Sequence, residues 1–142
     1  MGLLDRFKKR KIEYTNVLDG KRLGRSFKAA FEGIKATYLK EQNIKIHTFI
    51  AIVVVLCGFI LKISYAEWLV CLVLIGFVLM AEFFNTAIEY VVDLASPDIH
   101  PLAKAAKDTA SAGVLMMAIL SAIVGCVIFG PKLIEFVGCL LW

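Results

Sequence analysis

The sequence predicts an all-α integral membrane protein with an N-terminal amphipathic surface helix followed by three transmembrane helices. Of its 142 residues, 60% are hydrophobic, and the mean hydropathy is +0.79. Twelve of the 16 Lys and Arg residues precede Thr48, against five acidic residues in the same stretch. The length suffices for one domain at most, so these observations together predict one small membrane-embedded unit.

The chain begins with a basic extension, residues 1–20, and an amphipathic segment, residues 21–40. The extension carries too many charges to contain the apolar core of a cleavable signal peptide, and we expect it to be cytoplasmic. In 21–40 the apolar side chains fall within an arc of about 100°, which predicts a helix lying on the inner leaflet. Its basic face is open to two interpretations. The basic side chains attract anionic lipid, or Arg22 and Arg25 in particular bind an anionic ligand that arrives from the cytoplasm.

Three apolar stretches approach the length that crosses a bilayer, about 20 residues. The predicted crossings cover about 45–64, 67–92 and 107–130. Lys45 and Lys62 can extend their stems to the two interfaces around the first, and Trp68 suits an interfacial position at the start of the second. Residues 109–131 contain no charge, and Pro131 is expected to loosen or end the third helix.

The distribution of basic residues sets the expected orientation. Under the positive-inside rule the N-terminus lies in the cytoplasm, as does the connection 93–108, which carries Lys104 and Lys107. The short turn 62–67 and the C-terminus then lie outside. We therefore expect a multi-pass protein of the cell inner (cytoplasmic) membrane.

Four polar side chains interrupt the second crossing: Glu82, Asn85, Glu89 and Asp93. Their spacings of three, four and four residues place them on one helical stripe. Charged groups at membrane depth cost several kcal/mol unless they have partners or a ligand, so the stripe indicates a functional site. At about 1.5 Å per residue from Trp68, Glu82 lies roughly 21 Å in and Glu89 roughly 10 Å further, near the cytoplasmic boundary.

Charged groups from other segments are expected at the same level. Glu41 precedes the first crossing, and Lys107 and Asp108 begin the third on the same side. Two carboxylates at the water boundary suit a magnesium-bound polyphosphate, because Mg²⁺ takes oxygen ligands from carboxylates, phosphate and water. A deeper carboxylate can accept a proton from the hydroxyl of a lipid, so the pattern favours phosphoryl transfer to a lipid alcohol.

Two other interpretations of the stripe do not involve catalysis. Intramembrane Glu and Asn also form proton relays and hydrogen bonds between helices, which would make the chain a membrane transport subunit or a helical scaffold. A conduit needs a polar path through the whole film. The outer half of the second crossing, residues 68–80, is wholly apolar, and this disfavours transport.

The run EFFNTAIEYVVD at 82–93, followed by Lys107-Asp108 and Ser111-Ala112, resembles the prokaryotic diacylglycerol kinase and undecaprenol kinase family. The similarity covers about 22–130. The resemblance implies a homotrimer of membrane lipid kinase subunits, with composite active sites between subunits, ATP as phosphoryl donor and Mg²⁺ as cofactor. The expected partners are a lipid alcohol and ATP, and no nucleic acid.

The resemblance also implies roles for individual residues. Glu82 corresponds to the catalytic base that takes the proton of the lipid hydroxyl, and Asn85 to a residue that positions the reacting groups. Glu41 and Glu89 correspond to the carboxylates that hold magnesium on ATP. Three further positions match residues that contact the nucleotide: Lys107 corresponds to a lysine on the phosphates, Asp108 to an acid that braces this lysine, and His100 to a histidine near the base. On the lipid side, Ser111 corresponds to a residue near the head group.

The segment Asn43-Ile-Lys45-Ile-His47 bears on the lipid substrate. It resembles the Asn-x-Arg-x-His segment of undecaprenol kinases from Gram-positive lineages, with Lys45 in place of Arg. A lysine keeps the charge but loses the planar fork of the guanidinium. The resemblance favours undecaprenol as substrate, with diacylglycerol second, and places Asn43 and His47 on the lipid side. Alternatively, His47 makes only a structural hydrogen bond at the membrane surface.

Overall fold

A computed structural model of the chain describes residues 20–96, 98 and 100–141, with side chains as far as Cys139. The basic extension predicted for residues 1–20 lies outside these ranges, apart from Gly20. The described residues form four helices, here numbered in chain order: α1 Gly20–Lys40, α2 Gln42–Ile60, α3 Tyr65–Ala95 and α4 Pro101–Leu141. Strands are absent from the described ranges, and the all-α prediction is confirmed.

The chain forms two compact units, which meet in sequence between Ala36 and Thr37. The described part of the first unit is the amphipathic body of α1. Its apolar side chains, such as Leu23, Phe27 and Phe31, remain exposed. The predicted helix is therefore present, and its uncovered apolar face has the character of an interfacial helix. Its position on a leaflet remains a prediction.

The second unit contains α2, α3 and α4, and each is long and apolar enough to span a membrane. The three predicted crossings are confirmed. The helix ends differ from the predicted bounds by several residues, most of all in α4. This helix begins at Pro101, whose fixed φ suits the first helical position, and continues through Pro131 to Leu141. The expected end at Pro131 is wrong, because a long transmembrane helix tolerates one proline without terminating.

The turn between α2 and α3 is tightly packed. Lys62 adopts a positive φ of 49° and reverses the chain. Ser64 then caps α3 reciprocally with Glu67: the Ser64 hydroxyl accepts from the Glu67 amide, and the Glu67 carboxylate accepts from the Ser64 amide at 2.6 Å. The indole of Trp68 packs on Gly58 so closely that a Cβ there would lie 2.8 Å from the ring. The two helices consequently leave the turn as an antiparallel pair.

Helix α3 is the central element of the second unit, since it packs extensively against α4 and less extensively against α2. Its inward face carries the buried residues Cys71, Val78, Glu82, Asn85 and Thr86. Large apolar side chains cover the outward faces of all three helices and remain exposed. The predicted polar stripe therefore faces the interior of the unit, where neighbouring helices can supply partners.

Candidate active site

The polar stripe of α3 passes from the interior to the surface. Glu82 is 1% exposed, Asn85 5% and Thr86 1%. Further along the helix the Glu89 side chain is 23% exposed and the Asp93 side chain 56% exposed. The Thr86 hydroxyl donates to the Glu82 carbonyl oxygen at 3.0 Å, so this buried hydroxyl is satisfied within its own helix. The stripe thus leads from the buried carboxylate of Glu82 to the more solvent-exposed carboxylates of Glu89 and Asp93.

Glu82 is the deepest charged group of the stripe. Its Oε1 atom lies 3.3 Å from His47 Nε2, which α2 brings to this level from across the helix pair. Within the described part of the chain, the same oxygen has no partner with hydrogen-bond geometry. Burying a carboxylate oxygen without a hydrogen bond is costly, and such atoms persist where a ligand uses them. The Glu82 carboxylate therefore has one histidine beside it, and its Oε1 atom can still accept a hydrogen bond from a ligand.

Asn85 connects Glu89 to α4. Its amide Nδ2 donates to Glu89 Oε1 at 3.0 Å, and its Oδ1 accepts from the Ser111 hydroxyl at 3.3 Å. The side chain is buried, so both bonds are shielded from water. Asn85 consequently fixes the orientation of the Glu89 carboxylate relative to α4.

A cavity of about 230 Å³ lies between the three helices of the second unit. Its polar lining consists of residues that the sequence predicted for catalysis or lipid binding: Asn43, His47, Glu82, Asn85 and Ser111. Val114, Leu115 and Ala118 complete it. The structure therefore brings the predicted catalytic and lipid-side residues together around one space.

A second cavity, of about 240 Å³, adjoins the first and is almost wholly apolar. His47 and Ala118 line both cavities. From there its lining follows α2, α3 and α4 away from the acidic end, past residues such as Val54, Ile75 and Gly125. A small polar chamber continuing into an apolar groove is complementary to a molecule with a polar head and a hydrocarbon tail.

Glu41 stands at the junction between α1 and α2, where the backbone is extended with φ −92° and ψ 132°. This break directs Glu41 and its neighbour Lys40 toward α3. Lys40 Nζ lies 3.3 Å from Glu41 Oε1 and 3.5 Å from Glu89 Oε2, and 4.2 Å from the centre of the Tyr90 ring. Partial desolvation lowers the pKa of Lys40, but Glu41, Glu89 and Tyr90 together outweigh it and raise that pKa above its ordinary value.

The two carboxylates predicted to hold magnesium, Glu41 and Glu89, therefore converge on a single positive charge. The described residues contain no group of three or more His, Cys, Asp or Glu able to cage a metal ion. Magnesium on a polyphosphate needs no such cage, because it takes one or two carboxylates and completes its shell with phosphate oxygens and water. The buried Glu41 Oε1 has no partner with hydrogen-bond geometry in the described ranges, and the donor set fits Mg²⁺ on a nucleotide.

The lysine and acid at the start of α4 are paired differently from the predicted arrangement. Lys107 forms an ion pair with Asp93 at the exposed end of the stripe. Asp108 pairs with Lys104 one turn earlier on its own helix. The acid that braces Lys107 is therefore Asp93 rather than Asp108, because the packing of α4 on α3 sets Lys107 opposite Asp93. The part of Lys107 and Asp108 in nucleotide binding stays a prediction.

Three further predicted residues have simpler surroundings. His100 is exposed, and its Nδ1 accepts the backbone N–H of Leu102 at 3.2 Å at the start of α4, which is a helix-capping contact. Arg22 and Arg25 belong to the first compact unit, on α1, where both are exposed. The roles of these three residues toward a nucleotide stay predictions.

Lys40 is the site residue that sequence reasoning missed. Lys40 is one of the basic residues of the predicted surface helix 21–40, and no role beyond attraction to anionic lipid was predicted for it. A signal was available in the sequence, because Lys40 directly precedes Glu41 at the membrane boundary where Glu89 was already expected. Asp93 and Lys104 were likewise seen as charges but not as the partners of Lys107 and Asp108.

The fold and the site define a polytopic helical membrane protein with an acidic site at one end of its helices. Residues 28–129 match the sequence model of the prokaryotic diacylglycerol kinase family. The chain belongs to this family, as the resemblance of residues 82–112 predicted.

Individual relatives agree with this membership. An undecaprenol kinase of Bacillus subtilis (strain 168) is 45% identical over 112 residues, covering 79% of this chain and 91% of that protein. A diacylglycerol kinase of Synechocystis sp. is 36% identical over 110 residues, covering 76% of this chain and 63% of that protein. A diacylglycerol kinase of Escherichia coli (strain K12) is 28% identical over 99 residues, covering 70% and 81%.

Proposed function

We propose that this chain transfers the γ-phosphoryl group of ATP to the hydroxyl group of a membrane lipid alcohol, with undecaprenol as the favoured acceptor and diacylglycerol as the second. The observation that carries the proposal is the buried, partly unpartnered Glu82 carboxylate in a polar chamber that continues into an apolar groove. Family membership supports the reaction class, because the relatives are named as kinases of two membrane lipids.

Glu82 is the proposed general base. The hydroxyl of the lipid approaches the Glu82 carboxylate and gives it a proton, while the hydroxyl oxygen forms its new bond to the γ-phosphorus and the bond between that phosphorus and ADP breaks. His47, 3.3 Å from the same oxygen, keeps the carboxylate oriented toward the chamber. Water has little access here, since Glu82 is almost fully buried, and this protects the reaction from hydrolysis of the nucleotide.

Asn85 is the proposed positioning residue between the base and the nucleotide. It lies nearly one turn beyond Glu82 and one turn before Glu89, so its amide stands roughly midway along the 10 Å of helix that separates the two carboxylates. Its hydrogen bonds to Glu89 and Ser111 hold this segment of the site in one geometry. In-line phosphoryl transfer depends mainly on such positioning and on charge stabilisation.

The nucleotide is proposed to bind at the more exposed end of the stripe. Glu41 and Glu89 would hold Mg²⁺, which supplies neutralisation of the phosphate charge when it is bound. Lys107 forms an ion pair with Asp93, and we propose that it exchanges this partner for a phosphate oxygen when the nucleotide binds. We propose that the nucleotide has four further contacts, namely His100, Asp108, Arg22 and Arg25.

Two observations favour undecaprenol over diacylglycerol. Asn43 and His47, from the segment that resembles undecaprenol kinases, both line the polar chamber. The 45% identical relative is named an undecaprenol kinase, whereas the relatives named diacylglycerol kinases are less similar. The apolar groove adds a surface along which a long isoprenoid chain can lie.

We further propose that the chain forms a homotrimer in the inner (cytoplasmic) membrane, with the acidic end of its helices in the cytoplasm. The basic N-terminal region supports this orientation, and cytoplasmic ATP requires it. The exposed apolar side chains on the outward faces of α2, α3 and α4 leave large surfaces for lipid or for neighbouring subunits. Cross-linking in native membranes, read as the largest covalent species, tests the number of subunits.

The decisive assay compares two lipids with one enzyme preparation. The purified chain in bicelles, given γ-labelled ATP and Mg²⁺, should label undecaprenol faster than diacylglycerol at equal mole fraction. Glu82→Gln should lower the rate by a factor of about 10² to 10⁴, the usual contribution of a general base. Glu135→Gln, a change of an exposed carboxylate on α4, should leave the rate unchanged.

Full activity of Glu82→Gln would exclude the base role, and ion flux without ATP consumption would favour the transport alternative. That alternative is disfavoured by the lining of the second cavity, which is almost wholly apolar and lacks the continuous polar path that ions need.

A further inference from the structure

Lys40 lies between the two proposed metal carboxylates, Glu41 and Glu89. Its ammonium nitrogen is 3.3 Å from Glu41 Oε1 and 3.5 Å from Glu89 Oε2. These carboxylates come from separate segments, the α1–α2 junction and the middle of the α3 stripe. An ammonium group that bridges them offsets their mutual repulsion, and it does so at the position where a shared divalent cation would bind.

The two cations exclude each other at this position. Magnesium binds carboxylate oxygens at 2.0–2.1 Å and keeps a full octahedral shell of oxygens, so it needs the space next to Glu41 and Glu89 that the ammonium occupies. Two positive charges on the same pair of oxygens also repel each other strongly in a partly desolvated site. Metal binding therefore requires Lys40 to leave.

The surroundings of Lys40 allow this movement and give it a destination. The side chain is 40% exposed, so solvent lies on one side of it. The ring of Tyr90, 4.2 Å away, provides a cation–π contact that holds the ammonium near the site without enclosing it. A polyphosphate bound to the metal would present its oxygens beside the displaced lysine, and a lysine ammonium is a mobile point charge suited to phosphate.

We propose that Lys40 is a tethered counter-ion of Glu41 and Glu89 that competes with the divalent metal ion and, once displaced, binds the phosphates of the incoming nucleotide. This inference rests on the proposed assignment of Glu41 and Glu89 as metal carboxylates. Its consequence is selectivity for the ligand: the metal ion alone binds weakly because it must expel Lys40, whereas the metal–nucleotide complex binds well because it gives Lys40 a new partner.

Direct binding of Mn²⁺, measured by electron paramagnetic resonance without nucleotide, tests the competition. Mn²⁺ takes the same oxygen ligands as Mg²⁺ and is visible in this experiment. Lys40→Met should tighten Mn²⁺ binding about tenfold, because the competing charge is gone. Lys40→Arg, which keeps the charge, should bind Mn²⁺ as weakly as the unaltered chain. Addition of ATP should then strengthen Mn²⁺ binding about tenfold less in Lys40→Met than in the unaltered chain, because the phosphates lose the displaced ammonium as a partner.

Lys132→Met is the matched control. Lys132 also pairs with a glutamate, 3.2 Å from Glu67 Oε2, but at the opposite end of α3. Removing it deletes a cation from a comparable ion pair and should change Mn²⁺ affinity neither without nor with ATP. Circular dichroism and size-exclusion chromatography establish that each variant is folded.

Two results would overturn the inference. Unchanged Mn²⁺ affinity in Lys40→Met contradicts the competition, and an equal gain in Mn²⁺ affinity on addition of ATP in Lys40→Met and in the unaltered chain contradicts the phosphate contact. Glu41→Gln and Glu89→Gln separate these results from failure of the proposed function: if neither variant weakens Mn²⁺ binding, the assignment of the metal carboxylates is itself wrong.

Discussion

The two ends of helix α3 differ in how far their polar side chains are satisfied by hydrogen bonds within the protein. At its start, Ser64 and Glu67 satisfy each other in a capping box, and Glu67 also pairs with Lys132. Toward its other end, Glu82 and the nearby Glu41 each have a buried carboxylate oxygen whose neighbour, His47 or Lys40 at 3.3 Å, does not meet hydrogen-bond geometry among the described residues. Polar groups that satisfy each other's hydrogen bonds stabilise the fold, whereas buried polar groups with unsatisfied hydrogen bonds indicate where a ligand binds.

The strongest test of this contrast is Glu82→Gln. We expect activity to fall by about 10² to 10⁴, while thermal stability in detergent stays the same or rises, because an amide costs less to bury than a carboxylate. The measurement is the labelled-ATP assay beside thermal unfolding followed by circular dichroism. A large loss of stability together with activity would instead assign Glu82 to the fold.

Asn85→Ala sharpens the contrast within the acidic end. It removes both the bond to Glu89 and the bond to Ser111, so we expect kcat to fall about 100-fold through loss of positioning. Ser111→Ala removes only one of these bonds and should cost about tenfold or less. Equal effects of the two substitutions would contradict the role of Asn85 as the link between Glu89 and α4.

Gly58→Ala probes the opposite end. The added methyl would stand 2.8 Å from the Trp68 ring, and we expect a loss of stability of about 1–3 kcal/mol from this overpacking, with unchanged activity per folded molecule. Trp68→Leu in the Gly58→Ala background should recover part of the loss, since it makes room for the methyl group. If the double variant recovers nothing, the close packing of this turn is not the cause.

The smallest expected effect is that of Ser64→Ala. Loss of the capping hydroxyl should lower the stability by about 1 kcal/mol and leave both lipid phosphorylation and Mn²⁺ binding unchanged. Ser26→Ala, on the exposed surface of α1, should lie within about 0.5 kcal/mol of the unaltered chain. A fall in specific activity for Ser64→Ala would break the separation between the two ends.

Most of the fold was predictable because it depends on local periodicity. The arc of apolar residues in α1, the three apolar stretches and the spacing of Glu82, Asn85 and Glu89 are all properties of neighbouring residues. The expected end of α4 at Pro131 was wrong for a related reason. The preference of proline for helix ends is also local. In a long transmembrane helix, however, the hydrogen bonds of the neighbouring turns keep the chain helical although one N–H group is missing.

The roles predicted for the site residues depended on a sequence motif rather than on helical periodicity. Spacing alone indicated an acidic site near a membrane boundary and left a kinase, a relay and a scaffold open. Among these three functions, the motif of residues 82–112 favoured lipid phosphorylation because it resembles a known family. The match over residues 28–129 confirmed that family. The structure then grouped the predicted catalytic and lipid-side residues around one chamber.

The sequence by itself determined which helices form and which face of α3 is polar, because both follow from the order of side chains along one helix. Only the tertiary structure decided the partners: His47 for Glu82, Asp93 for Lys107, and Lys40 between Glu41 and Glu89. These pairs join residues from separate segments, and their choice depends on the rotation and register with which the segments pack. Helical periodicity places a charge on a face, but packing decides which charge it meets.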